Sequence, residues 1–214
     1  MPPTTAPASM IQAHPSFMKI LLNFSRKLWS KIASWTGRDR SWQELEYFDE
    51  SWKRRIEEMA KFIFPGESVV DLGCGRMWLK PLLRDNEYHP VDYTRRDATT
   101  VVANFNRHEY PDIVADVSFV SGTLEYIEDY EWFTKEICSR SKKCIVSYCT
   151  TECFPDLKVR SRKAWKSHLS RTTLIGLFIK YGMELAAESD VVTQNPIFVF
   201  SQRSAVGAAD PQTR

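Results

Sequence analysis

The run Ser68-Val-Val-Asp-Leu-Gly-Cys-Gly75 places an acid and two glycines, one residue apart, at the end of an apolar stretch. Glycine permits positive φ and lets a ligand approach the backbone without a Cβ in the way. A helix that follows such a turn offers unpaired N–H groups at its start, so the pattern predicts a nucleotide-like ligand where a buried strand turns into a helix. The three-glycine dinucleotide fingerprint would need its third glycine at Trp78, and the largest side chain there disfavours a simple NAD site. A second short strand, Tyr88-His-Pro-Val-Asp92-Tyr93, ends in a carboxylate seventeen residues after Gly75. Folds of this kind hold an acid there against ribose hydroxyls.

Three segments in order, Val69-Val-Asp-Leu-Gly-Cys-Gly75, Val91-Asp92-Tyr93 and Asp116-Val-Ser-Phe-Val-Ser-Gly-Thr-Leu-Glu-Tyr-Ile127, resemble conserved parts of the class I methyltransferases that use S-adenosylmethionine. They correspond to the first motif, the acidic end of the second strand and the fourth-strand segment, and the resemblance covers roughly residues 48 to 201. It implies S-adenosylmethionine as cofactor, with Asp71, Gly73, Cys74 and Gly75 shaping its methionine and ribose side and Asp92, followed by Tyr93, taking the ribose hydroxyls. It further implies Asn104 near the adenine amino group, Ser121 and Gly122 at the methionine end, and Glu125 against the cofactor ammonium or the acceptor. Two positions depart from the family. Met77 stands where a third glycine is often found, and Tyr126 where a histidine often follows the glutamate. A chain that keeps the fold as a non-catalytic scaffold, its pocket blocked by Met77 and Trp78, is the alternative these departures raise.

Methyl transfer from a sulfonium depends chiefly on alignment of nucleophile and methyl carbon, and a general base is needed only for a weak nucleophile such as a hydroxyl. Glu125 and His168, in Trp165-Lys-Ser-His168, are the candidate catalytic residues; an unperturbed imidazole titrates near neutrality. Plainer roles compete: Asp71 as a strand-end cap, Asn104 as a turn former, Glu125 in a helix first turn, His168 as a structural histidine. The fourth-strand segment lacks the Pro-Pro-aromatic step of enzymes that methylate nucleic-acid bases. Arg160, Arg162, Lys163 and Lys166 with Trp165 form either a basic aromatic lip for a phosphate or sugar-phosphate acceptor or a solvated loop.

These residues need a frame. A helix from about Asp49 to Phe64 stops at Pro65-Gly66. Beyond it the pattern predicts a helix near 78–83, strands at 88–93, 100–104 and 115–120, a helix at 129–139 and a strand at 143–148. Residues 149–169 read as irregular, followed by a helix at 171–181 and strands near 183–190 and 196–201. The alternation gives an α/β class with a Rossmann-like, mostly parallel sheet covered by helices, and the family resemblance implies seven strands with the last antiparallel. Ligands bind such sheets at the carboxyl ends of the strands.

The domain is expected over 48–203 of the 214 residues, between a disordered 1–16 and a disordered 204–214. Residues 17–47 form a basic helical extension. Within it Phe17, Ile20, Leu21, Phe24, Leu28, Ile32 and Trp35 recur at helical spacing, and the first 38 residues hold five Lys or Arg and no acid. Packing on the domain or a second subunit, peripheral contact with an anionic membrane and a transit peptide are the readings of this segment. A net charge of +2 gives no reason to invoke nucleic acid. Five cysteines without a Cys-x-x-Cys pair or a zinc-like spacing read as reduced thiols with no metal, which fits a cytoplasmic compartment. The sequence thus predicts an S-adenosylmethionine-dependent methyltransferase of a small-molecule or glycan hydroxyl.

Overall fold

In the computed structural model, residues 48–192 and 194–203 are described here. The disordered segments expected at 1–16 and 204–214 and the basic helical extension at 17–47 lie outside them.

Helix α1 (Trp52–Ala60) buries Arg55 and Met59 one turn apart, and the chain leaves it through Pro65 and a left-handed Gly66 (φ +83°). Strand β1 (Val69–Leu72) follows, buried at every residue. Strands β2 (Tyr88–Asp92), β3 (Val101–Val102), β4 (Ala115–Ser121), β5 (Ser141–Ser147), β6 (Met183–Ser189) and β7 (Ile197–Gln202) complete a sheet of order β3-β2-β1-β4-β5-β7-β6. The first five run parallel. β7 is antiparallel to both neighbours and inserts between β5 and β6.

Apolar residues on alternate positions feed two cores, because successive side chains of a strand point to opposite faces. Val70 and Leu72 join Phe133 of helix α2 (Tyr130–Arg140) and Phe178 of helix α4 (Arg171–Lys180); the Phe178 and Phe200 rings stack at 4.1 Å. Val69, Phe119, Ile145 and Val199 pack with Met59 on the opposite face. Each fully buried aromatic or aliphatic side chain contributes about 1.5–3 kcal/mol. Helices α2 and α4 begin at side-chain caps: Asp129 accepts from the Trp132 amide and Ser170 from the Thr173 amide.

Two expectations are corrected. No α-helix follows the glycine loop. Residues 76–79 form turns and Lys80–Leu82 a single 3₁₀ turn, because Pro81 has no N–H to continue a helix and Leu83 is already extended. Conversely, the segment after β5 is not wholly irregular. Asp156 caps a short helix α3 (Leu157–Arg162) by accepting from the Val159 amide.

β1 lies between β2 and β4: the chain runs outward from β1 through β2 to β3 and then crosses back to β4 on the other side of β1. A crevice therefore opens beyond its carboxyl end, at the switch point where α/β sheets bind ligands.

Candidate active site

The crevice is a cavity of about 770 Å³, within the range of small-molecule and cofactor sites. Its floor is the turn after β1. The amides of Gly73 and Cys74 both donate to the Val91 carbonyl, at 2.8 and 3.0 Å, which folds the loop back on β2. Gly73 has φ +85°, and a Cβ there would collide with the Thr123 side chain. Glycine is required twice over, for the backbone and for the close approach of β4's continuation.

Met77 adopts φ +53°, the conformation a glycine would take without cost. Its side chain is not part of the cavity wall, whereas Trp78 is. Trp78 meets Phe48 edge to face, with centroids 6.1 Å apart. The departure at Met77 therefore costs backbone strain, and Trp78 forms wall while leaving the cavity open.

Two carboxylates flank the loop. Asp71 accepts from the Tyr88 hydroxyl at 2.7 Å. Its burial pushes its pKa up to about 7, aided by the charge of Asp92 and opposed by the Tyr88 hydrogen bond. Asp92 accepts from the Gly75 amide at 2.8 Å, the Thr94 amide at 3.2 Å and the Arg96 guanidinium at 3.1 Å. It holds the loop in shape as well as facing the cavity. Arg96 lies over the rings of Tyr93 and Phe48. Asn104 caps the next 3₁₀ turn by accepting from the Asn106 amide at 3.1 Å.

A third carboxylate stands beyond β4. Glu125 is 2% exposed; its Oε1 accepts from the Cys149 amide at 2.9 Å, while Oε2 is buried with no hydrogen-bond partner. Burial raises its pKa, against the lowering effects of the Cys149 amide and the Arg55 cation. Arg55 reaches across from α1, donating to Ser121 Oγ at 3.1 Å and Asn195 Oδ1 at 3.2 Å. A Cβ on Gly122 would sit 2.8 Å from its Nη2, so glycine there admits the guanidinium.

All nine residues expected at the cofactor, Asp71, Gly73, Cys74, Gly75, Asp92, Tyr93, Asn104, Ser121 and Gly122, line this cavity together with Glu125. His168 does not. It is exposed, and its Nδ1 accepts from Arg160 Nε at 3.1 Å, while burial and the Arg160 cation lower its pKa. Arg160 itself is fully buried and donates to the carbonyls of Cys149, Thr150 and Ser167, so it braces the segment instead of facing solvent.

Arg55 is the site residue that sequence reasoning missed. It follows Lys53 and Arg54 in a run of three cations, yet it lies three residues after Trp52 and four before Met59, on the apolar side of α1. That spacing was the available signal. Four of the cysteines are buried and Cys153 is exposed; burial lifts the Cys149 thiol to about 11, which leaves it protonated at neutral pH. Among the described residues no cluster of three metal-ligating side chains exists and no helix is long and apolar enough to cross a membrane.

No family model and no curated protein sequence matches the chain; solved structures match it by shape. A methyltransferase of calicheamicin biosynthesis in its SAH-bound form superposes with a TM-score of 0.56 at 16% identity, over 71% of this chain and 54% of that one. The chain thus spans about half the length of that protein. A Haloferax volcanii putative methyltransferase in complex with the Trm112 activator gives 0.60 at 15% identity, covering 73% of this chain and 92% of that one. A Burkholderia thailandensis 1,6-didemethyltoxoflavin-N1-methyltransferase with bound S-adenosylhomocysteine gives 0.57 at 12% identity, covering 93% and 95%. This likeness of shape, with a seven-stranded sheet in which β7 is the inserted antiparallel strand, shows that the chain has the fold of the class I S-adenosylmethionine-dependent methyltransferases.

Proposed function

We propose that the protein is an S-adenosylmethionine-dependent methyltransferase acting on a hydroxyl of a small molecule, with Glu125 as the general base. The observation that carries this reading is the buried Glu125 carboxylate. One of its oxygens is unpartnered, and it lines the same cavity as the Gly73-to-Gly75 turn.

The residues present fit the cofactor. The volume is in the range of cofactor sites, the glycines leave the backbone approachable, and the acids Asp71 and Asp92 and the cation of Arg55 line the same cavity. Asp92 would accept from ribose hydroxyls, with Arg96 yielding one of the carboxylate's positions. Arg55 would meet the amino-acid carboxylate beside Ser121, and Asp71 the electropositive side. When bound, S-adenosylmethionine supplies a methyl group already activated by the sulfonium charge.

The protein's part is then to hold the acceptor and remove its proton. Glu125 Oε2 would accept the hydroxyl hydrogen and take the proton as the oxygen becomes a nucleophile. Its raised pKa makes it a better base than an exposed glutamate, and such a base is worth about 10²–10⁴ in rate. Trp78 and Tyr126 form part of the cavity wall around it. A cytoplasmic location fits the five free thiols.

Calorimetric titration with S-adenosylmethionine and S-adenosylhomocysteine tests the reading. Wild type is expected to bind both, and Asp92→Asn to bind at least tenfold more weakly. No binding of either ligand would leave a non-catalytic protein of the same fold.

A further inference from the structure

The cavity wall also carries charge to which the proposed cofactor contacts give no part. Arg162 and Lys163, at the end of α3, line the cavity beside Phe154 and Trp165. Among the described residues neither cation is paired with a carboxylate. The other two cations of the segment are engaged: Lys166 pairs with Glu128 at 3.2 Å and Arg160 is spent on backbone carbonyls. The Phe154 and Trp165 rings stand edge to face at 5.8 Å and 72°, with Lys163 Nζ 5.7 Å from each centroid.

This wall is fixed relative to Glu125. The amides of Lys166 and Ser167 donate to the Glu125 carbonyl at 2.6 and 3.1 Å, and Arg160 ties α3 to the Cys149 carbonyl at 2.7 Å. Cys149 in turn donates to the Glu125 side chain. The aromatic pair, the two cations and the buried carboxylate therefore form one braced unit.

We propose that this wall selects an aromatic acceptor bearing an anionic group, a carboxylate or a phosphate ester. Its ring packs on Trp165 and Phe154, and its anion meets Arg162 and Lys163. Aromatic rings meet offset or edge to face, which the tilted pair allows. Arg162 and Lys163 are both exposed, so each charge pair is screened by water and the preference for an anion comes from the two cations acting together. The anion also distinguishes the acceptor from neutral phenols, which would leave both cations unpaired. This inference rests on the methyltransferase reading for what becomes of the acceptor, though its binding can be measured separately.

The test is calorimetry with 4-hydroxybenzoate and 4-hydroxyphenyl phosphate against uncharged 4-hydroxybenzyl alcohol and cationic tyramine, each with and without saturating S-adenosylhomocysteine. At least one anion should bind tenfold or more tighter than the alcohol, and tyramine more weakly than either. Which anion binds tighter identifies the group. The double variant Arg162→Gln/Lys163→Gln should reduce the anion's affinity at least tenfold and leave that of the alcohol within twofold. Trp165→Leu should weaken anion and alcohol alike. Equal affinity for charged and neutral rings, no binding of any ring, or an anion preference that survives the double variant would overturn the proposal. An anion preference without any binding of S-adenosylhomocysteine would overturn the methyltransferase reading and leave this one standing.

Discussion

Glu125 and Cys149 are joined by a 2.9 Å hydrogen bond from the Cys149 amide to Glu125 Oε1. This bond couples the ends of β4 and β5 and leaves Oε2 buried and without a partner. Glu125→Gln keeps an acceptor for Cys149 and removes the base. With a hydroxyl acceptor we expect kcat to fall about 10²–10⁴-fold, with S-adenosylhomocysteine affinity within threefold of wild type. Thermal stability at neutral pH should rise, since the variant has no carboxylate to ionise in a buried site. An unchanged kcat would remove Glu125 from the chemistry.

Asp71 gives the fold a pH dependence of known sign. Its pKa is about 7 in the folded state against 3.8 ordinarily. The folded protein thus holds a proton that the unfolded chain has lost between these values. The stabilisation is complete below about pH 4 and declines as pH rises toward 7, by on the order of 1 kcal/mol per unit. Asp71→Asn still accepts from Tyr88 and should abolish this slope. Urea denaturation of both proteins at pH 5, 6 and 7 reads it as a difference, so other titrating groups cancel.

Met77→Gly should stabilise the protein. At φ +53° a non-glycine residue carries about 1–2 kcal/mol of strain, partly offset by the greater freedom of glycine when unfolded. A gain of roughly 0.5–1 kcal/mol is expected by denaturant titration. Because the Met77 side chain is absent from the cavity wall, S-adenosylhomocysteine affinity should stay within threefold.

Gly73→Ala combines a forbidden φ with a collision against Thr123, and a loss of about 2–4 kcal/mol is expected. Adding Thr123→Ala should recover the part due to the collision and leave the part due to the backbone. A double-mutant cycle with a coupling energy near zero would show that the Thr123 side chain simply moves aside.

The sequence by itself determined where most of the sheet strands lie, because, apart from the two-residue β3, they are runs of four to seven residues between turn residues, which admit few other assignments. It also determined the glycine turn, since Gly73 and Gly75 mark backbone shapes that other residues reach only with strain. Asp71, Asp92 and Glu125 were legible for a related reason: each ends a strand or follows one closely, and parallel strands bring those ends to one edge. Only the tertiary structure decided what each charge faces. The spacing of Arg55 puts it on the apolar side of α1 but does not say what it meets, and Arg160 looks like its exposed neighbours; what engages them is the packing of α1 against Ser121 and of α3 against the Cys149 carbonyl. His168 offered a suitable pKa, but the direction of its ring depends on Arg160, and that contact holds it off the cavity. The missing helix after Gly75 has one cause of each kind: Pro81 stands in the sequence, whereas the loop's hydrogen bonds to Val91 and Asp92 belong to the tertiary structure. Periodicity fixes which residues share an element, whereas burial and pairing of charge are properties of elements meeting, which no local pattern contains.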